Sequence, residues 1–287
     1  MRQNLLSLPR RAGLSGRVPL GAFIRTASTK AESGATGATS STNGSNGDGN
    51  GNGNTLDSRW FSNFRHRVNK LDNAKLPADL AEKRSDLVRY VQDHWVDLLA
   101  GREGYITKKE WRGLDSHQVA WGEMVRQHGH INNTMYNRYA ETSRVNWITH
   151  HGREVSLEEK MKWENMVTPR AVGLIMRSIM TQYKFPLTFP DRVIVLHRLS
   201  EKPTSASDHI KLEALILSET YQRVAAKCSE DNVIYDYRSG KRTQLDADMA
   251  KTFGHTYDMQ EETRAFYDAE IARLFKVCEE LEGNIQS

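Results

Sequence analysis

Residues 120–148 read AWGEMVRQHGHINNTMYNRYAETSRVNWI, and the rest of the chain is best read outward from them. The second half carries a helical signature. Tyr136, Ala140, Ser143 and Trp147 recur at spacings of four, three and four, one face of a helix over 134–151. Ala140 and Ser143 are small, so the helix can approach closely the surface it rests on. Asn132 or Asn133 suits the N-cap and Gly152 the stop. Ahead of the helix, HQVAWGEM (117–124) reads as a strand and VRQHGHINN (125–133) as a loop.

Downstream, after a polar loop, the pattern changes from helical to alternating or continuous apolar. Strands are expected over 171–184, 192–200, 209–219 and 221–237. Val193, Val195, His197 and Leu199 share one face of the second of these. FPLTFPD turns the chain at Pro186 and Pro190, and RSGKR turns it after the last strand. A terminal helix over 258–281 follows from the stripe Tyr267, Ile271, Leu274, Cys278 and Leu281.

Upstream, Leu80, Leu87, Val91, Trp95 and Leu98 mark a helix over 78–100. Residues 57–75 carry Trp60, Phe61 and Phe64 among basic residues, and either pack on the core or attach loosely. GREGYITKKEW (101–111) matches part of a calcium loop at Gly104, Ile106 and Glu110. Two of its early ligand positions, Leu99 and Gly101, offer no side-chain oxygen, so no calcium site is expected.

The first 30 residues hold arginines, leucines and serines, with no acid before Glu32, the composition of a mitochondrial transit peptide. Residues 31–56, rich in Gly, Ser, Thr and Asn, read as a flexible linker. Of the 40 basic and 36 acidic residues, six and two lie in 1–54, leaving 34 of each. The net charge of +4 therefore belongs to the leader, and nothing in the remainder calls for nucleic acid. No apolar run approaches the ~18 residues of a membrane span. Cys228 and Cys278 fit buried, reduced thiols in a compartment such as the matrix.

Strand, long helix and a run of antiparallel strands make an α+β domain in which a sheet wraps a helix. At this point the residues meet a family. Trp121, Gly122, Glu123, Met124, Gly129, His130, Ile131, Asn132, Asn133, Tyr136, Tyr139, Glu141 and Arg144 resemble the signature of the 4-hydroxybenzoyl-CoA-thioesterase-like hot-dog proteins. Tyr183, Pro186 and Asp191 resemble its second motif, and within the group the chain is similar to fungal-type mitochondrial thioesterase-like proteins. The resemblance covers residues 117–240. It implies a hot-dog fold, with an antiparallel sheet of about five strands round a long central helix and extra N- and C-terminal helices. It also implies an acyl-CoA or other acyl thioester as substrate, no separate cofactor, and a homodimer or higher homo-oligomer with the acyl site at the subunit boundary. The expected organisation is a transit peptide (1–30), linker (31–56), helical extension (57–112), hot-dog domain (113–245) and C-terminal helical extension (246–287).

The chemistry is plausible on physical grounds. The first amides of a helix lack intrahelical partners and carry partial positive charge, so those near Asn133 to Met135 could receive the oxyanion of a thioester. A carboxylate must also activate water or attack. The family places it directly after the Met, where this chain has Val125, and the loop is one residue longer. The nearest substitutes are Glu123, on the same face as Val125 if the strand persists, and His128. Glu123 could instead pair with a neighbouring strand or a basic residue. Catalytic candidates are thus Glu123, His128 and Asn133, and substrate-binding candidates are His130, Asn132, Thr134 and Arg126. Lys184 and Arg192, with Arg126, could meet CoA phosphates. His128 and His130 precede the helix and His150 and His151 end it, roughly 25 Å apart, so no metal site is expected. Glu141 and Arg144 suit an exposed or interfacial ion pair. Two functions follow: an acyl-CoA thioesterase of the mitochondrial matrix, or a non-catalytic acyl-CoA binder or subunit of a larger mitochondrial assembly. A hydratase acting on acyl thioesters is a third, with no motif of its own here.

Overall fold

The computed structural model describes residues 59–72, 76–125 and 129–285. The expected transit peptide and linker lie outside these residues, as do Arg126 and His128. The strands are β1 (Leu114–Gln118), β2 (Val172–Tyr183), β3 (Arg192–Leu199), β4 (His209–Ser218), β5 (Arg223–Asp236) and β6 (Lys241–Arg242). They form one antiparallel sheet in the order β1-β3-β4-β5-β2, with β6 paired to the end of β5. The long helix α3 (Asn133–His150) lies on one face, the arrangement of a hot-dog fold.

That inner face takes alternate residues of each strand. Val193 and Val195, Ala214 and Ile216, and Ala226 and Cys228 pack against Tyr136, Tyr139 and Ala140. Ser143 is fully buried, and its Oγ donates to the Val195 carbonyl at 3.2 Å. A larger residue in this part of the stripe would push α3 off the sheet.

The intervening residues face outward and are equally buried. Ile194, Leu196, Leu215 and Leu217 pack against Trp60, Phe64, Leu87, Val91, Ile271, Leu274 and Cys278. These come from α1 (Trp60–Asp72), α2 (Ala78–Asp93) and α5 (Ala247–Gly283). The aromatic residues of 57–75 therefore anchor a helix on the core rather than a loose tail. With both faces covered, β3 and β4 read as continuous apolar runs, and each buried Leu or Ile is worth about 1.5–3 kcal/mol.

Several elements depart from expectation. The strand over 117–124 ends at Gln118, and the chain then turns through a short 3-10 segment at Trp121–Glu123. The turn is forced by the need to bring Met124 beside Ile131, with which it bridges. The expected helix 78–100 ends at Asp93, and Leu98 and Leu99 sit in a π-helical turn, Asp97–Gly101. The polar loop after α3 contains α4 (Leu157–Asn165), begun by a capping box between Ser156 and Glu159. Gly152 lets α4 close on the end of α3, because a Cβ there would lie 3.1 Å from Trp163 Cβ. The terminal helix starts at Ala247, eleven residues earlier than its stripe suggests, capped by Asp246. RSGKR is the hairpin joining β5 to β6.

Candidate active site at the start of the central helix

The described residues on either side of the loop before α3 are bonded to each other. The Val125 amide donates to the His130 carbonyl at 2.8 Å, and Gly129 takes a left-handed φ of 68°. The Asn132 amide donates to the Glu123 carbonyl at 2.8 Å, and the Ile131 amide to the Leu187 carbonyl at 2.9 Å. Three segments thus converge on one helix end: the 121–125 turn, residues 129–132 and the link between β2 and β3.

Asn132 is the N-cap, with Oδ1 accepting from the Thr134 amide and hydroxyl, each at 3.0 Å. The Met135 amide donates to the Asn132 carbonyl at 2.9 Å. Two of the three amides expected to face a thioester oxygen are therefore occupied. The exposed Asn133 has no partner for its amide among the described residues, and it stands at the positive end of an 18-residue helix. His130 is held in the loop, its Nδ1 2.8 Å from the Ile131 carbonyl.

Glu123 is in the region expected but is not a free base. Its Oε2 accepts from the Ala120 amide at 2.9 Å and from the Tyr139 hydroxyl in a short hydrogen bond. Burial, and then this bond, pushes the Tyr139 hydroxyl pKa up, so the tyrosine stays the proton donor. Both of these bonds fall on the same oxygen, so the carboxylate is tied to the 3-10 turn and to α3. With the strand ended at Gln118, Glu123 also loses the expected strand relation to Val125.

Arg144 does not pair with Glu141. It turns inward, its Nη1 3.0 Å from Glu230 Oε1 on β5. His197 Nε2 lies 3.7 Å from the same oxygen, and His197 Nδ1 is 2.9 Å from Ser143 Oγ. Burial alone would raise the Glu230 pKa, but His197 and Arg144 hold it below the usual carboxylate range. Nothing in the sequence pattern links α3 to β5, so this charged cluster has no signal in the sequence. Glu141 is left exposed on α3, on the same helix face as Asn133 and Asn137. Asn137 Oδ1 accepts from Thr181 on β2 at 2.6 Å, and the Tyr183 hydroxyl donates to the Asn133 carbonyl at 3.4 Å. This face of α3 therefore opens along the free edge of β2. Arg192 is occupied by Ser116, whose carbonyl it reaches at 2.9 Å, and Lys184 is exposed.

The family model of the thioesterase-like superfamily matches residues 91–253, from the end of α2 to the first turns of α5. No curated protein matches the chain. Among solved structures, a thioesterase complexed with coenzyme A and zinc from Thermus thermophilus is 17% identical, with a TM-score of 0.41, over 54% of this chain and 98% of its own. The hypothetical protein SAV2348 from Staphylococcus aureus, in complex with CoA, is 15% identical with a TM-score of 0.42, over 52% and 85%. The probable thioesterase YbaW from Escherichia coli is 16% identical with a TM-score of 0.40, over 50% and 97%.

Proposed function

The chain belongs to the thioesterase-like superfamily, and from that premise we propose that it binds an acyl-CoA with the thioester carbonyl at the start of α3. The observation that carries this reading is exposed Asn133, whose amide has no partner among the described residues, at the capped, positive end of α3. An oxyanion forming there meets a preorganised donor.

Hydrolysis needs a carboxylate that Val125 does not supply and that Glu123 has committed elsewhere. Glu141 is the exposed acid on the same helix face, but eight residues along a helix is about 12 Å. It cannot reach a carbonyl at its own Asn133, whereas a second copy across the β2 edge could present it. β2 supports such pairing. It is a 12-residue edge strand with exposed Ile175, Met180 and Tyr183, the kind of edge that recruits another strand. The proposed protein is thus a two-fold dimer with acyl sites at the boundary. The leader composition supports action in the mitochondrial matrix.

A second reading is favoured by Val125 and by the engaged Glu123: a non-catalytic acyl-CoA binder or a subunit of a larger mitochondrial assembly. One experiment separates the two. Free-thiol release by the full chain is measured across short, medium, long and aromatic acyl-CoAs. Turnover on any class supports the enzyme, and Glu141→Gln should then abolish it while Glu123→Gln does so only if Glu123 is the base. Binding without turnover on any class sinks the enzyme reading.

A further inference from the structure

The end of β2 away from Asn133 borders a cleft that the site at α3 does not use. Tyr183, the last residue of β2, is the one that reaches Asn133. Val172, at the other end of this 12-residue strand, stands on the order of 35 Å from it at about 3.3 Å per residue. There α4, the start of β2 and the residues leading into α5 enclose a cleft of about 440 Å³. That is within the ~300–1,000 Å³ range of small-ligand sites.

The floor of the cleft is apolar. Met166, Leu245 and Met249 are buried, and Val172 packs against the same cluster. The two methionines have unbranched, polarizable side chains that adapt to ligands of varied shape. The rim is rich in donors. Lys162 and Asn165 come from α4, Arg238 from the hairpin after β5 and Gln244 from the link between β6 and α5. The Lys162 ammonium makes no hydrogen bond among the described residues, its ion-pair partner Asp246 standing 3.8 Å off. Arg238 donates through Nε to Asp236 Oδ1 at 3.2 Å, and its two terminal nitrogens have no partner among the described residues. The side-chain amides of Asn165 and Gln244 have none there either. Asp246, the acid among the lining residues, is already engaged. Its Oδ1 caps α5, accepting from the Asp248 and Met249 amides at 3.0 and 3.3 Å. A ligand seated here meets apolar surface below and uncommitted donors above.

We propose that this cleft binds a free apolar carboxylate, such as a medium-chain fatty acid. Its carboxylate lies between Lys162 and Arg238, and its chain rests on Met166, Val172, Leu245 and Met249. The site is separate from the start of α3 and does not rest on the acyl-CoA reading. An ionised carboxylate only accepts hydrogen bonds, which suits a rim of donors, and a guanidinium can meet it with two parallel N–H groups. A cationic amphiphile would face Lys162 and Arg238 with like charge, and a neutral one would leave both without an anion. Because the ligand touches α4, β2 and the start of α5 together, it stabilises that corner of the folded chain.

Calorimetric titration of the full chain with sodium decanoate, below its micelle concentration, tests this. Acetate, decanol and decylammonium are the comparisons. Decanoate should bind at one site per chain and acetate, which lacks the chain, should not. Decanol and decylammonium should bind about tenfold more weakly or worse. Lys162→Gln with Arg238→Gln should weaken decanoate by about tenfold or more. If that pair disturbs folding, Arg238→Gln alone, at an exposed position, should give a smaller loss. Ala171→Trp, which adds bulk to the lining, should also weaken it. A saturating thioether analogue of an acyl-CoA should leave decanoate affinity unchanged. The site falls if decanoate does not bind, if decanol or decylammonium binds as tightly, if the substitutions have no effect, or if the analogue displaces decanoate. Decanoate binding without binding of the analogue leaves this site standing and removes the acyl-CoA reading.

Discussion

The two faces of the sheet are both buried, yet they are built of different material. The outer face meets α1, α2 and α5 through Ile194, Leu196, Leu215 and Leu217, with apolar partners throughout. The inner face mixes apolar contacts with a buried polar cluster, the Arg144–Glu230 ion pair with His197 and Ser143 beside it, and ends at the start of α3. Apolar contacts are non-directional and tolerate sliding, whereas a buried ion pair holds only at one separation. The outer layer therefore supplies stability, and the inner one fixes where α3, and with it Asn133, stands against the strands.

The sharpest way to break this contrast is on the inner face. Glu230→Ala leaves Arg144 and His197 without their acid and should cost about 3–5 kcal/mol in urea unfolding. Arg144→Met combined with Glu230→Leu should recover most of that loss. If the double variant is as unstable as the single one, the cluster is not acting as a pair.

On the outer face, Leu196→Ala should cost about 2–5 kcal/mol, with little change in acyl-CoA affinity measured under folding conditions. A large affinity loss at full folding would show that the outer layer also shapes the site.

A third test lies beneath the far end of α3. His151 is buried against Trp147, Trp163 and Phe253, and burial, with some help from His150, lowers its pKa to about 4. The unfolded chain takes up the proton first, near pH 6.5, so the folded state is favoured fully above that pH. The advantage is lost as pH falls from about 6.5 to about 4, amounting to on the order of 3 kcal/mol. His151→Phe should flatten the stability profile across that window, and an unchanged slope would place its origin elsewhere.

The smallest expected effect is at the helix start itself. Asn132→Ala removes the cap on Thr134 and should cost about 1 kcal/mol. Because it also loosens the segment carrying Asn133, acyl-CoA binding should weaken more than stability does. Equal losses would mean that the helix end is not the site.

Much of the fold is legible in the sequence because its signals are local. The α3 stripe and the Asn132 cap lie within twenty residues of one another. The strands β2 to β5 show alternating or continuous apolar runs bounded by Pro and Gly turns. Glu123 and the start of α3 are reachable through the family motif. α4 escapes a sequence reading although Ser156 and Glu159 form a readable capping box, because the surrounding composition is polar. The beginning of α5 escapes it because its buried positions there include Gly254, Thr256 and Gln260, which carry no apolar signal. The expected strand at 117–124 fails because β-favouring residues cannot report that the chain must turn at Trp121 to meet Ile131.

By itself, then, the sequence determined the kind and order of most elements, the identity of the long helix and the absence of the usual acid at Val125. Periodicity and capping depend on neighbours a few residues away, so they survive without coordinates. The tertiary structure alone decided what the charged groups do. Glu123 is claimed by Tyr139, Arg144 turns from Glu141 to Glu230, and Arg65 reaches the turn at Tyr221. Each of these pairings joins segments separated along the chain, and only strand register and helix placement bring them within hydrogen-bonding reach.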